Sequence, residues 1–275
     1  SMKKVLITCV NHNSYHELGQ FLASVDIAAY QVKEICQVTV LIADNSSTPQ
    51  QFDTISYAHI QCYIHRTENL GYINSAQYAM NEYVAEVIKS FDYCIISNVD
   101  IQLSNDFFEQ LIRTDWDMDI AWIAPNIYTP STNTEENPLA TKRYSKCKLK
   151  ILSILYSRPW LYFAYMSTYH KIVKRNRKNV SSIQSQQDIY AGHGSIFIFT
   201  RSFINQCFPF KYPIFLYGEE NYFGEIVRKV HMRTIYSPTI QVTNTSAHIS
   251  TSKIQYRTRC QYSFEAIQYI LDTFY

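Results

Sequence analysis

The sequence lacks any apolar run long enough to cross a bilayer. The nearest candidate among its 275 residues, Ile151 to Met166, is short and is interrupted by Arg158 and Pro159. A signal-peptide pattern is also missing from the start of the chain. We therefore expect a cytoplasmic protein without a transmembrane helix.

The sequence is also poor in charge and in clustered cysteine. Charged residues make up 17% of the chain against 47% hydrophobic residues, which predicts a folded globular protein rather than a disordered one. The net charge of +2 does not suggest a partner that is a nucleic acid. None of the seven cysteines forms a C-x-x-C pair, and several lie in apolar runs such as VLITCV, so we interpret them as reduced core residues.

Glycine-rich phosphate loops are missing as well. The chain has six glycines, and the loop after the first predicted strand, NHNSYHE, contains neither a glycine run nor Lys or Arg. A nucleotidyltransferase would need a basic, glycine-rich loop there to hold phosphate groups through backbone N–H donors. The sequence therefore disfavours that class.

Short apolar strands alternate with helical patterns through the first half of the chain. This rhythm predicts an α/β protein with a mostly parallel central sheet and helices on both faces. The predicted strands are Lys4–Val10, Val38–Ala43, Ile60–His65 and Tyr93–Ser97, and the predicted helices are Tyr15–Tyr30 and Ile73–Lys89.

The second half is less regular. We expect a polar loop, a basic and aromatic stretch, a glycine-bearing turn into the strand SIFIFT, a helix, an extended segment and a terminal helix. In order these are 126–140, 142–178, Tyr190–Thr200, 219–230, Ile235–Val242 and Tyr256–Leu271.

Polar residues follow the predicted parallel strands, where ligands bind in sheets of this kind. Asp100, in Asn98-Val99-Asp100, could hold a divalent cation through its carboxylate oxygens. An Asp after a strand is more commonly a turn or a helix cap, and Ser104-Asn105-Asp106 has the composition of such a cap.

Three further features have both a chemical and a structural interpretation. Glu219 and Glu220 could supply a general base, or they could complement the dipole of the helix that they open. His248 could ligate a metal, although a single histidine is more often structural. His193 lies in a Gly-His-Gly turn that could touch a ligand or simply let the backbone pass closely.

Six segments together resemble the family 2 glycosyltransferases of GT-A fold, in particular the bacterial rhamnosyltransferase-like branch. The resemblance extends from Lys4 to about Ser252. Its segments are VLITCVNHNS, LIADNSST, ENLGY, SNVDI, FLYGEENYFGEIVRKVHMRTIYSP and NTSAHIST.

The resemblance implies a role for each matching residue. Asp100 and His248 would hold Mn²⁺ or Mg²⁺, Glu220 would be the catalytic base with Glu219 supporting it, and His193 and Tyr217 would lie near the donor or acceptor sugar. The nucleotide-binding residues would be Asn11, Asn13, Asp44, Asn45, Asn69, Gly71 and Asn98. Asn98 replaces the family's usual first Asp of the metal motif, and Glu220 replaces the commoner Asp.

The implied activity is inverting transfer of a sugar from a UDP- or dTDP-linked donor to a hydroxyl of a glycan or lipid-diphosphate-linked acceptor. Its expected role is the synthesis of a bacterial surface polysaccharide, such as capsule or O-antigen. Residues 3–125 would form the nucleotide-sugar half and 126–255 the acceptor half, with a helical insertion at 142–178 and a C-terminal helix at 256–275. The alternative is a non-catalytic binding or scaffold member with a degraded metal site.

The basic and aromatic stretch 142–178 has three interpretations. It could lie on the anionic inner face of the cytoplasmic membrane, or it could bind a phosphate-bearing acceptor. It could also be a helical pair whose basic side is simply solvated.

Overall fold

The computed structural model describes residues 2–83, 85–176, 185–246 and 253–275, and side chains in these ranges except those of 85–86, 168–176 and 253–255. The strands are β1 (Lys3–Asn11), β2 (Cys36–Asp44), β3 (Ile60–Arg66), β4 (Tyr93–Asn98), β5 (Ile101–Leu103), β6 (Ile120–Thr129), β7 (Thr134–Glu135), β8 (Gln187–Ile189), β9 (Ile196–Thr200) and β10 (Arg233–Asn244). The helices are α1 (Tyr15–Tyr30), α2 (Tyr72–Glu82), α3 (Ala85–Ile88), α4 (Phe107–Arg113), α5 (Lys146–Ser157), α6 (Pro159–Asn176), α7 (Arg201–Cys207), α8 (Glu219–Lys229) and α9 (Lys253–Phe274).

One sheet runs through both halves of the chain, in the order β3-β2-β1-β4-β9-β6-β10-β5, with β7 and β8 attached at the side. β1 to β4 form a parallel block, and β6 and β10 form a second parallel pair. β9 lies antiparallel between β4 and β6. β2 and β4 flank β1 on opposite sides, so the chain reverses its winding at β1. In sheets of this kind, the ligand crevice lies at the carboxyl ends of the strands at such a reversal.

Apolar side chains cover both faces of the sheet. On one face α1 buries Leu18, Phe21 and Val25 at helical spacing. On the other face lie α2, α7, α8 and α9, around a stack of rings that includes Trp122 and Phe197. β1 is buried on both sides, which is why its sequence is a continuous apolar run rather than an alternating one.

The predicted fold class is confirmed, and most predicted elements lie within two residues of the observed ones. One exception is the predicted helix 73–89, which is divided into α2 and α3. Another is the predicted loop 126–140, which holds the end of β6 and all of β7. The alternation in Asn126–Thr129 was too short to indicate a strand, and its pairing with β10 supplies the hydrogen bonds that the local sequence does not indicate.

The helices of the second half of the chain pack against one another through α9. α5 and α6 pack on α9, where the Gln268 side chain donates a hydrogen bond to Ser153 of α5. Arg143 holds the end of α9 through Phe274 O and makes a bidentate ion pair with the buried Glu225 of α8. Within the described ranges, no helix combines the length and apolar character needed to cross a membrane.

Candidate active site

Glu220 lies against the turn that precedes β9. Because β9 runs antiparallel to β4, its first residues lie beside the carboxyl end of β4, and Asn98 donates its backbone N–H to Ser195 O at 2.9 Å. Gly194 then donates its N–H to Glu220 Oε1 at 3.1 Å. A Cβ on Gly194 would lie 2.5 Å from that oxygen, so the glycine is what lets the carboxylate approach the backbone.

Glu219 sits beside Glu220 in the first turn of α8 and is 6% exposed. Burial, together with the neighbouring charge of Glu220, raises the pKa of Glu219 to about 8. The first turn of α8 therefore holds a proton on Glu219 at neutral pH. The two adjacent acids therefore differ: Glu219 is buried and protonated, whereas Glu220 is half-buried and contacts the turn before β9.

Asp100 is the next acid at this edge of the sheet. The end of β10 reaches it through Thr245, whose N–H and hydroxyl both donate to Asp100 O at 2.9 Å. Burial raises the pKa of the Asp100 carboxyl, and the nearby His193 acts in the opposite direction. No Lys or Arg in the described part of the chain forms an ion pair with Asp100.

Tyr72 was missed by the sequence analysis and lies among the same acids. Its hydroxyl is buried without a hydrogen-bond partner in the described structure, and its pKa is raised by burial and then by Glu219, Asp100 and Glu220. The preceding Gly71 has φ +86°, and a Cβ there would lie 1.9 Å from Phe215 O. The loop before α2 is therefore pressed against the loop before α8, which places the Tyr72 ring in the site.

His193 lies in the turn before β9, and Tyr217 lies in the loop before α8. His193 Nδ1 accepts the Ser195 N–H at 3.2 Å, which holds the ring beside the start of β9. Tyr217 has φ +71° and is 38% exposed, with the Arg259 guanidinium of α9 over its ring. His193 therefore joins the acidic site, and Tyr217 lies at its rim beside α9.

Asp44, at the end of β2, is the centre of a separate polar network. Its Oδ2 accepts hydrogen bonds from Tyr15 Oη at 2.8 Å and Arg66 Nη1 at 3.0 Å. Its Oδ1 accepts from Ser46 Oγ at 2.6 Å and Asn11 Nδ2 at 3.2 Å. Both oxygens already accept hydrogen bonds, so Asp44 organises this network, and Asn11, Tyr15, Ser46 and Arg66 are the side chains that surround it.

The predicted asparagines extend this network toward α2. Asn45 donates to Asn69 Oδ1 at 3.1 Å, and Asn69 Oδ1 in turn accepts the N–H of Gly71. Asn13, in the left-handed region with φ 55°, donates to Ser47 Oγ. Six of the predicted nucleotide-binding residues therefore come together at the ends of β1 and β2, while Asn98 lies with the acids.

Few potential metal ligands lie together in the described part of the chain. Asp100 and Asn98 offer oxygen donors two residues apart, and His248 lies outside the described residues. In the part of the chain that the structure describes, no group of three or more His, Cys, Asp or Glu side chains is placed to hold a metal ion.

Comparison with known proteins places the fold. No family model matches the chain, and no curated protein matches it by sequence. Among solved structures it is similar to GalNAc-T7 with UDP, GalNAc and Mn²⁺, at TM-score 0.55 and 12% identity over 94% of this chain and 48% of that one. It is also similar to S. aureus TarS 1–349, at TM-score 0.54 and 10% identity over 89% of this chain and 60% of that one. A longer S. aureus TarS structure gives TM-score 0.53 and 10% identity over 89% of this chain and 37% of that one. The chain thus spans about half the length of these structures, and its fold is that of the GT-A glycosyltransferases.

Proposed function

We propose that this protein transfers a sugar from a nucleoside diphosphate donor to an acceptor hydroxyl with inversion at the anomeric carbon. The observation that supports this most directly is Glu220, fixed by the Gly194 N–H at the carboxyl edge of the sheet beside Asp100 and Tyr72. A carboxylate held there by one oxygen keeps its second oxygen for an acceptor proton.

That geometry supports the following reaction. The acceptor oxygen attacks the anomeric carbon in line, and the bond from that carbon to the diphosphate oxygen breaks. The diphosphate keeps the electron pair, and Glu220 takes the acceptor proton. Burial and the charge of Glu220 raise the pKa of Glu219, and the proton that Glu219 then carries removes a second negative charge beside the base.

The donor's diphosphate needs positive charge. Asp100 is partly buried and lacks a basic ion-pair partner in the described structure, and carboxylate and amide oxygens suit Mg²⁺ or Mn²⁺, so Asp100 with Asn98 would hold such a cation. The cation would neutralise the departing diphosphate. His248 is a further proposed ligand, and the remaining ligands would come from the diphosphate and from water.

The nucleotide would lie over the Asp44 network, with Asn13, Arg66 and Asn69 as its exposed contacts. Tyr72 would donate its unpaired hydroxyl to the diphosphate or the donor sugar, because a buried unpaired hydroxyl costs about 1–3 kcal/mol until a ligand oxygen accepts from it. On the resemblance of the sequence motifs, the donor would be UDP- or dTDP-linked. The acceptor would be a glycan or lipid-linked intermediate of a surface polysaccharide, reached from the cytoplasm.

A screen of UDP-, dTDP- and GDP-sugars for hydrolysis and transfer tests the proposal. With the active donor, Glu220→Gln should abolish transfer while donor affinity stays close to that of the parent protein. Glu34→Gln, an exposed glutamate far from the site in sequence, is the matched control and should behave as the parent. Retained turnover in Glu220→Gln would remove Glu220 as the base.

A binding-only protein is the second candidate, and Asn98 favours it because the residue removes one charge from the metal motif. Calorimetry with UDP, with and without Mn²⁺, separates the two. Binding that Mn²⁺ strengthens, and that Asp100→Ala makes insensitive to Mn²⁺, supports the transferase. Binding without turnover on any donor, unaffected by Mn²⁺, supports the binding-only protein.

A further inference from the structure

Charge is strongly segregated in the segment that carries α5 and α6. Residues 137–187 contain eleven of the 25 Lys and Arg residues of the chain and none of its 23 Asp and Glu residues. Lys150 and Arg158 belong to the exposed part of this segment, and the structure gives neither side chain a carboxylate partner among the described residues. The segment is therefore strongly positively charged, although the whole chain has a net charge of only +2.

The helices of the same segment expose large apolar side chains, among them two on α5 and two on α6. Ile151 is 54% exposed, Ile154 58%, Trp160 67% and Phe163 64%. They are spaced three residues apart on α5 and again on α6, which is the spacing of one helix face. α5 buries Leu149 and Ser153 toward α9, so the exposed isoleucines are additional to the face that holds the helix in place.

The position of these helices links them to the site. Tyr162 of α6 stacks near Tyr256 of α9, with ring centroids 5.4 Å apart. α9 in turn contacts the loop before α8, where Phe215 lies against Tyr262 and a Cβ on Gly218 would meet Ala266. α9 thus connects the apolar, basic surface to the loop that leads into Glu219.

We propose that α5 and α6 dock on an anionic lipid bilayer, with Ile151, Ile154, Trp160 and Phe163 inserted at the interface and the Lys and Arg side chains against the lipid phosphates. Exposed apolar side chains alone would fit several partners. Their combination with a segment that is wholly free of acids matches a surface that is apolar inside and negatively charged outside. Trp in particular prefers the headgroup region, because its ring is apolar and its N–H is polar.

Vesicle co-sedimentation of the full chain tests this. We expect binding to phosphatidylcholine vesicles that contain about one third phosphatidylglycerol, and much weaker binding to pure phosphatidylcholine. Trp160→Ser with Phe163→Ser should weaken binding about tenfold or more through lost apolar insertion. Lys150→Glu with Arg158→Glu should remove the preference for the anionic vesicles and its sensitivity to salt.

The control replaces two apolar residues elsewhere that are even more exposed than the test residues. Ile55→Ser with Met118→Ser removes side chains that are 90% and 87% exposed, and it should leave vesicle binding unchanged. Because Phe163 contacts Tyr256, the pair Ile151→Ser and Ile154→Ser provides a second test that avoids that contact.

Three results would overturn the proposal: no binding of the parent protein to anionic vesicles at low salt, equal loss in the Ile55 and Met118 control, or no loss in either α5 or α6 pair. If the parent protein instead forms a dimer in light scattering, ignores vesicles and dissociates on Trp160→Ser with Phe163→Ser, the surface binds a second copy rather than a membrane.

Discussion

Glu219 gives the most direct physical test of the site. Ionisation of its buried carboxyl changes the free energy of unfolding, whatever reaction the site performs. The perturbation is Glu219→Gln, which keeps the shape and one acceptor oxygen but cannot ionise. Burial and the charge of Glu220 raise the pKa of Glu219 from 4.5 to about 8 in the folded protein. A raised folded-state pKa means that the stabilising, protonated form is complete below the unfolded-state pKa and is lost as the pH rises through the folded-state pKa.

The size of the effect follows from that shift. One pKa unit corresponds to about 1.4 kcal/mol, so ionisation in the unfolded state costs the folded protein about 3 kcal/mol at pH 7 relative to acidic pH. Glu219→Gln removes this cost. For a chain of this length about 1 kcal/mol moves the Tm by roughly 2 °C, so the substitution should raise the Tm by about 6 °C at pH 7.

The assay is thermal unfolding of both proteins between about pH 5 and about pH 9.5. The gain from Glu219→Gln should be small at pH 5, grow as the pH rises toward 8, and level off above it. The exposed Glu34→Gln variant should show no such growth. If the difference between Glu219→Gln and the parent is constant across this range, Glu219 does not carry the proton, and the division of roles between the two acids is wrong.

Three further substitutions separate the site from its scaffold. Gly194→Ala places a Cβ 2.5 Å from Glu220 Oε1, so kcat should fall at least tenfold while the circular dichroism and Tm stay near those of the parent. An unchanged kcat would contradict the anchoring role of Gly194. Tyr72→Phe should weaken donor binding and raise the Tm slightly, because it removes a buried unpaired hydroxyl, whereas a purely structural tyrosine would leave donor affinity unchanged in calorimetry. Arg143→Ala leaves Glu225 buried without its partner and should cost about 3 kcal/mol in chemical denaturation without changing donor affinity, and a loss below about 1 kcal/mol would show that the pair is dispensable.

The sequence could predict the parallel half of the sheet because each element there is a local pattern. β1 is a run of buried apolar residues, and α1 repeats its apolar residues every three or four positions, so neither needs distant information. The position of β9 could not be predicted in this way. The segment SIFIFT predicts a strand, but nothing in it indicates that the strand lies antiparallel between β4 and β6. That placement depends on the burial of the Phe197 and Phe199 rings against Trp122 and Phe223.

The candidate site shows the same limit. Glu219, Glu220 and Asp100 were found as acids at strand and helix ends, but adjacency in sequence does not reveal which acid is buried. Tyr72 carried one usable signal, because it follows the Asn-x-Gly turn at the start of α2. Its unpaired hydroxyl became visible only when the Gly71 loop packed against Phe215.

Asp44 shows why a residue's type and position are not enough to assign its partner. Its place at the end of β2 indicates a nucleotide contact, yet four side chains and the Ser46 N–H already donate to its carboxylate. Moving any of these donors to make room for a nucleobase would leave the buried Asp44 carboxylate short of hydrogen bonds, which is costly.

Arg66 can instead keep one N–H on Asp44 while its exposed edge contacts a ligand, so nucleotide recognition at this end of the sheet should depend on Arg66. Arg66→Ala should then weaken nucleotide binding more than the exposed Asn13→Ala does, and the reverse order in calorimetry would return the primary contact to the β1 loop.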